Sequence, residues 1–161
     1  MSENSFKKQR NACFGVAFLL MFIIGVYFVH IPWNIDRLNI TESQLGFGIF
    51  IFGIFNFFSN QISGRVIVPK IGTTKTIVIG ILIFSFCPLL LISVPNYNTF
   101  LISWIPFGIS IGLLFPTMQT QISIIEEKTS KIVTPLFQAC FSAGSLFGAL
   151  CAAFFIQNIS D

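Results

Sequence analysis

The chain has 161 residues, 54% of them hydrophobic and only 9% charged, with 21 phenylalanines and a net charge of +3. A water-soluble domain carries about 25% charged residues, and one this small leaves too much area exposed to hide so much apolar side chain. Water is thereby excluded as the main solvent. A nucleic-acid partner is excluded too, because the cations form no basic stripe and no stacking platform accompanies them.

Four tracts contain no Asp, Glu, Lys or Arg: 11–35, 43–64, 76–125 and 132–160. A membrane-spanning helix needs about 20 apolar residues, and at 1.5 Å each the third tract would make a helix of roughly 75 Å, over twice a ~30 Å hydrocarbon core. It therefore holds two spans, with the turn chemistry of SVPNYN (Ser93 to Asn98) at the fold-back. The expected fold class is an all-α membrane protein with five transmembrane helices in a domain over 12–157. The spans fall near 12–31, 44–63, 76–94, 100–123 and 133–156.

Residues 1–11 form a basic tail with Lys7, Lys8 and Arg10. The first apolar run is too long for a signal-peptide core and is followed by no small-residue cleavage site, so it reads as a span. Pro32 closes it, and WNIDRLN is the short connection to the second. There Thr41 and Gln44 have capping-box spacing, Ile40 and Leu45 stand where a hydrophobic staple would close, and Glu42 complements the helix dipole. Trp33, Tyr97 and Trp104 fall near one boundary, as an interfacial belt would. The triplets starting at Asn39 and Asn158 have glycosylation spacing but read as chance occurrences in an Asn-rich sequence.

Of nine Lys and Arg, Arg37 alone lies on the side of the first connection; the others sit in the tail, at Arg65, Lys70 and Lys75, and at Lys128 and Lys131. Cytoplasmic segments are enriched in these residues. The N-terminus is therefore expected in the cytoplasm and the end at 158–161 outside, in a multi-pass protein of the plasma or inner membrane.

Inside the spans the four cysteines lack metal-site or redox spacing and read as small packing residues. Gly108 and Gly112, with Gly144 and Gly148, put small residues on one helix face, as close helix packing requires. Pro88, Pro106 and Pro116 are expected to bend their helices. The polar residues Tyr27, His30, Asn56, Gln119, Gln138 and Ser142 either form a hydrogen-bonding wall for a polar solute or hold helices together. Gln119 and Gln138 both fall roughly 10 Å to the cytoplasmic side of mid-helix, where they could meet. No span contains a carboxylate, so nothing in this segment supports proton coupling. No nucleophile–base pair, metal set or cofactor motif occurs, and the chain does not read as an enzyme.

The block HIPWNIDRLNITESQLGFGIFIFGIFNFFSNQISGRVIVPKIGTTK resembles the first two helices and following cytoplasmic loop of the major facilitator superfamily. Thr41 to Gly46 match the start of that family's second helix. Gly64, Arg65, Lys70, Gly72 and Lys75 stand where its loop motif keeps glycines and cations, although Val68 and Pro69 replace the motif's aspartate. FGISIGLLFPTMQTQISIIEEKTSKIVTPLFQACFSAGSLFGA resembles helices four and five. His30 takes the place of an arginine, Gln119 that of an asparagine and Gln138 that of a histidine.

The resemblance implies a fold of two six-helix halves with a solute held between them near the midplane. This chain would supply helices one to five of the N-terminal half. The expectation is a fragment of a secondary transporter for a small organic solute, its partners being the lipid bilayer, the solute, and a missing second half or partner chain. The alternative is a truncated or accessory membrane protein whose helices only pack with partners.

Overall fold

The computed structural model describes residues 3–159, with side chains from 6 to 157, so the external end expected at 158–161 lies outside the described side chains. Among the described residues every regular element is helical: α1 (Glu3–Val29), α2 (Ile31–Leu38), α3 (Glu42–Ile62), α4 (Val68–Ile71), α5 (Thr73–Ser93), α6 (Tyr97–Thr129) and α7 (Thr134–Ile159), with a π-turn over Ser63–Ile67. Five of the helical segments are long and apolar enough to cross a membrane: 6–29, 42–71, 73–93, 97–129 and 134–157.

The surface shows which solvent these helices suit. α3 buries Gly48 and Ser59 while exposing Phe47, Phe50, Ile54, Phe57, Phe58 and Ile62. Small residues point inward and large apolar ones outward, the reverse of a soluble helix. A bilayer makes that arrangement favourable, since lipid tails solvate Phe as well as a core does. The chain is an integral, multi-pass membrane protein.

The chain forms two compact units, one of Met1–Pro32 with Gln121–Asp161 and one of Trp33–Thr120. In the second unit, α3 and α6 lie parallel. A Cβ on Gly108 would stand 2.6 Å from the Phe52 carbonyl, and one on Gly112 2.5 Å from that of Asn56. Further along, Ser63 and Thr117 hydroxyls are 3.0 Å apart. α5 runs antiparallel to α6, with Gly80 against Leu114 and Cys87 Sγ 4.0 Å from Ser110 Oγ. Phe52, Phe84, Phe100, Trp104 and Phe107 fill the part of this unit nearer the α5–α6 turn, their ring centroids 5.2–6.0 Å apart.

In the first unit, α1 and α7 are parallel and very close. Ideal Cβ atoms on Gly144 and Gly148 would lie 2.3 and 2.1 Å from the carbonyl oxygens of Phe18 and Phe22. On α1, Gly25 meets the Ser145 carbonyl in the same way, at 2.3 Å. Any side chain at these three positions would enter a neighbour's backbone.

Several local features differ from the sequence reading. The connection at Trp33–Asn39 is largely the helix α2, with Pro32 in its first turn instead of merely ending α1; proline suits a first turn because its missing N–H has no intrahelical partner there. Trp104 does not sit in an interfacial belt. Its indole packs over Gly48 and is 3% exposed, because only a glycine leaves room for the ring. Trp33 is nearly half exposed, with the Arg37 guanidinium 4.7 Å above its ring. The helix of the second span continues past residue 63. Pro69 has no N–H to give the Arg65 carbonyl, and the backbone passes through a π-turn in which Val68 N–H reaches Ser63 O, five residues back. Residues 3–11, expected as a tail, are the first turns of α1. The capping box is formed: Thr41 Oγ1 accepts from Gln44 N–H, and Gln44 Oε1 accepts from Thr41 N–H at 2.8 Å.

Two glycines in α1 and α7 give a controlled comparison. Gly148→Ala must push two backbones apart and is expected to cost about 1–3 kcal/mol. Gly15→Ala meets nothing within 4 Å and is expected to stabilise by about 0.5–1 kcal/mol through helix propensity alone. Unfolding titrations of the two variants in mixed micelles measure both; equal effects would show that the α1–α7 contact is looser than described.

Candidate functional site

A site for a polar solute inside lipid needs hydrogen-bonding groups left over after the helices have satisfied their own. Most hydroxyls here are already committed to their own helix. Ser103 donates to Thr99 O, Ser110 to Phe107 O, Thr117 to Leu113 O and Thr120 to Pro116 O, at 2.6–2.9 Å. Because Thr117 spends its one proton on Leu113, Ser63 must donate in the Ser63–Thr117 pair. Ser59 likewise donates to Ile109 O at 2.9 Å. Ser59 and Ser63 were not singled out from sequence; the signal was their i, i+4 spacing on a helix whose other inward residue is glycine.

The six residues singled out as solute-binding candidates fall in separate places. In the first unit Tyr27 is buried near the end of α1. His30, one turn beyond, donates its Nδ1–H to Val26 O at 2.9 Å, which leaves Nε2 as the ring's acceptor in the neutral form. Gln138 and Ser142 are exposed, one turn apart on α7. Gly144 stands beside Phe18 and Gly148 beside Phe22, so Gln138 is level with about residue 12 of α1. Tyr27 is then some 15 residues further along, roughly 22 Å. The unit does not bring these two together.

In the second unit, Asn56 is half-buried on α3, its backbone N and O against Gly108 and Gly112. Gln119 is half-buried on α6. With Ser63 beside Thr117, Gln119 lies about nine residues below the level of Asn56, roughly 14 Å. A small solute would touch one or the other.

The residues of the loop motif form a continuous structure. Gly64 and Arg65 lie in the π-turn, Lys70 in α4, and Lys75 in the first turn of α5, all exposed. Gly72 joins α4 to α5 at φ 83° and ψ 162°, a conformation essentially confined to glycine. Thr76 locks this corner by donating its hydroxyl to Gly72 O at 2.9 Å.

Sequence reasoning also missed Glu126. It lies beyond the 100–123 span, in the last turn of α6, and its carboxylate accepts the backbone N–H groups of Val133 and Thr134, the latter at 2.6 Å. Those are orphan donors at the start of α7, so one carboxylate ties two helices across the loop in which Ser130 is left-handed, at φ 52°. The bonds from Val133 and Thr134 hold its pKa below the ordinary 4.5. Among the described residues, no group of three or more His, Cys, Asp or Glu comes together as a metal ion would need.

A family model described as Major Facilitator Superfamily matches residues 13–160. Among curated proteins, an uncharacterised MFS-type transporter, YceJ, of Bacillus subtilis (strain 168) is 25% identical over 126 residues. That alignment covers 78% of this chain and 32% of the relative, so the chain spans about a third of the length of the protein it matches. No solved structure matches.

Glu126 yields a pH prediction. Its folded-state pKa is depressed, so its contribution is fully present above pH 4.5 and is lost as pH falls through the folded-state value. Thermal melts of the detergent-solubilised chain should show an acid-side loss of stability that Glu126→Gln reduces. An unchanged acid limb in the variant would contradict the capping role.

Proposed function

The chain belongs to the major facilitator superfamily, and from that premise we propose that it is the N-terminal part of a secondary transporter for a small organic solute. It supplies five helices and works by alternating access together with further helices, on the same or a partner chain. The observation that carries the reading is the direction of the packed pairs. α1 and α7 are parallel, α3 and α6 are parallel, and α5 opposes α6. Helices that cross a bilayer alternately produce those directions, and the family match extends over the same residues.

On this reading the N-terminus and the 63–75 and 129–133 connections are cytoplasmic, and the end of α7 faces outward, in the plasma or inner membrane. Asn56 and Gln119 in the second unit, and Tyr27, His30, Gln138 and Ser142 in the first, are the side chains we assign to contact with the solute. Their wide axial spacing fits successive contacts along a path better than a single cage. The glycine corner at Gly72 and the cations Arg65, Lys70 and Lys75 form a cytoplasmic hinge between the second and third spans. A transporter, not an enzyme, fits this set of side chains.

The test is uptake into liposomes by the chain co-expressed with the product of the adjoining coding sequence, using a panel of radiolabelled organic solutes. Uptake of at least one solute is expected. Asn56→Ala and Gln119→Ala should each lower its uptake about tenfold, the equivalent of one lost hydrogen bond of ~1.4 kcal/mol. If no solute moves and none shifts the melting temperature, the chain is an accessory protein whose helices only pack.

A further inference from the structure

The second unit holds α3 and α5 firmly and the piece of chain between them hardly at all. Ser63, fully buried, is bonded to Thr117 at 3.0 Å, and Ser59 one turn earlier donates to Ile109 O at 2.9 Å. On the far side Thr76, also fully buried, donates to Gly72 O at 2.9 Å. Between these anchors residues 64–66 and 69–72 are exposed, residues 67 and 68 are half-buried, and α4 buries none of its residues. Segments with so little burial rearrange at low free energy. Both ends of the piece are joints. At one, Pro69 offers no N–H to the carbonyl four residues back, so a regular helical register gains no bond there and the ring crowds that carbonyl. The π-turn, in which Val68 N–H reaches Ser63 O, is the alternative, and neither register has a full set of bonds. Gly64 lowers helix propensity within the turn, and a Cβ there would meet nothing within 4 Å, so no packing fixes it from outside. At the other joint Gly72 has φ 83° and ψ 162°, within the wide range open to glycine. Ile67 borders an apolar groove of about 380 Å³, shared with Ile62, Ile109 and Leu113, which gives its side chain room to shift.

We propose that residues 64–72 form a two-jointed strut that turns about its own axis between the π register and a regular helical one, while Ser63 and Thr76 stay fixed. Passing between the registers advances the strut by one residue, a turn of about 100° and a rise of about 1.5 Å. At the radius of a side-chain tip, about 5–6 Å, that turn carries the tip at position 70 sideways by about 8 Å. The Gly72 corner takes up the twist, and α5 keeps its place. The strut deepens the hinge reading of Gly72 given above. That reading rests on a solute path, whereas the strut is read from distances with no solute present, so either can fail alone.

The test is pulsed electron resonance on the full chain in lipid nanodiscs, its four cysteines replaced by alanine, with spin labels at the exposed positions Lys70 and Thr120. Two distance populations several ångströms apart are expected. Pro69→Ala, which restores the missing N–H, should shift their ratio toward the helical register by about fivefold, the worth of one recovered hydrogen bond. Labels at the exposed Asn60 and at Thr120, both outside the strut, should give one population whichever residue stands at 69. Gly53→Ala, at an α3 position where a Cβ also meets nothing within 4 Å, should change neither distribution. A single Lys70–Thr120 population with Pro69 in place, as narrow as the Asn60 control, overturns the strut without any variant having to fold. Two populations in the Asn60 control overturn it as well, because the motion would then lie upstream. A ratio that Pro69→Ala leaves unchanged overturns the π-turn as the joint.

Discussion

What holds this molecule together is the approach of one helix backbone to another through residues that lack a side chain. In lipid, burying apolar surface between helices gains little, because the tails they displace are as apolar as leucine. Attraction has to come from close van der Waals contact and weak Cα–H···O bonds, which fall away within an ångström of separation. Gly25, Gly144 and Gly148 bring α1 and α7 to that distance, and Gly108 and Gly112 do the same for α3 and α6. The large side chains are the solvent-facing ones, and the abundance of phenylalanine describes the lipid surface more than the core.

That constraint also accounts for the treatment of polar groups. Ser103, Ser110, Thr117 and Thr120 of α6 return their protons to carbonyls three or four residues back, whereas Tyr97 reaches Gln44 O on α3, and the α3 serines reach α6 where glycine has already drawn the backbones together. Ser59 and Ser63 lie one and two turns beyond the Asn56–Gly112 contact, and both find partners on α6. Asn56 and Gln119, on half-exposed faces, are the side chains that the proposed transport reading assigns to a passing solute.

Much of the architecture was legible in the sequence because bilayer physics is severe. Tracts without charge can only be helices, and a tract of about 50 residues can only be two. The Thr41–Gln44 box was legible because capping is local, needing two side chains and two amides three residues apart. Trp104 was misread because its place depends on Gly48, more than fifty residues earlier, and nothing local marks that pairing. The extension of α3 past Ser63 was hidden for a different reason: Pro69 normally signals a stop, and a π-turn that absorbs it leaves no mark in composition. Glu126 was missed because its partners are amides, which every sequence has. The residues proposed to meet a solute were the least legible, since a glutamine in a span looks alike whether it faces a neighbour or a cavity.

The account depends most on the parallel, glycine-close pairing of α1 and α7 in a bilayer. Pulsed electron-resonance distances in lipid nanodiscs test it, with spin labels at the exposed positions Asn11 and Leu136 and, in a second sample, Asn11 and Phe155. Parallel packing predicts a short first distance, set by an interaxial spacing of about 8–10 Å plus the labels, and a second distance of at least roughly 27 Å, the axial offset alone. The reverse order, or two similar long distances, would contradict it.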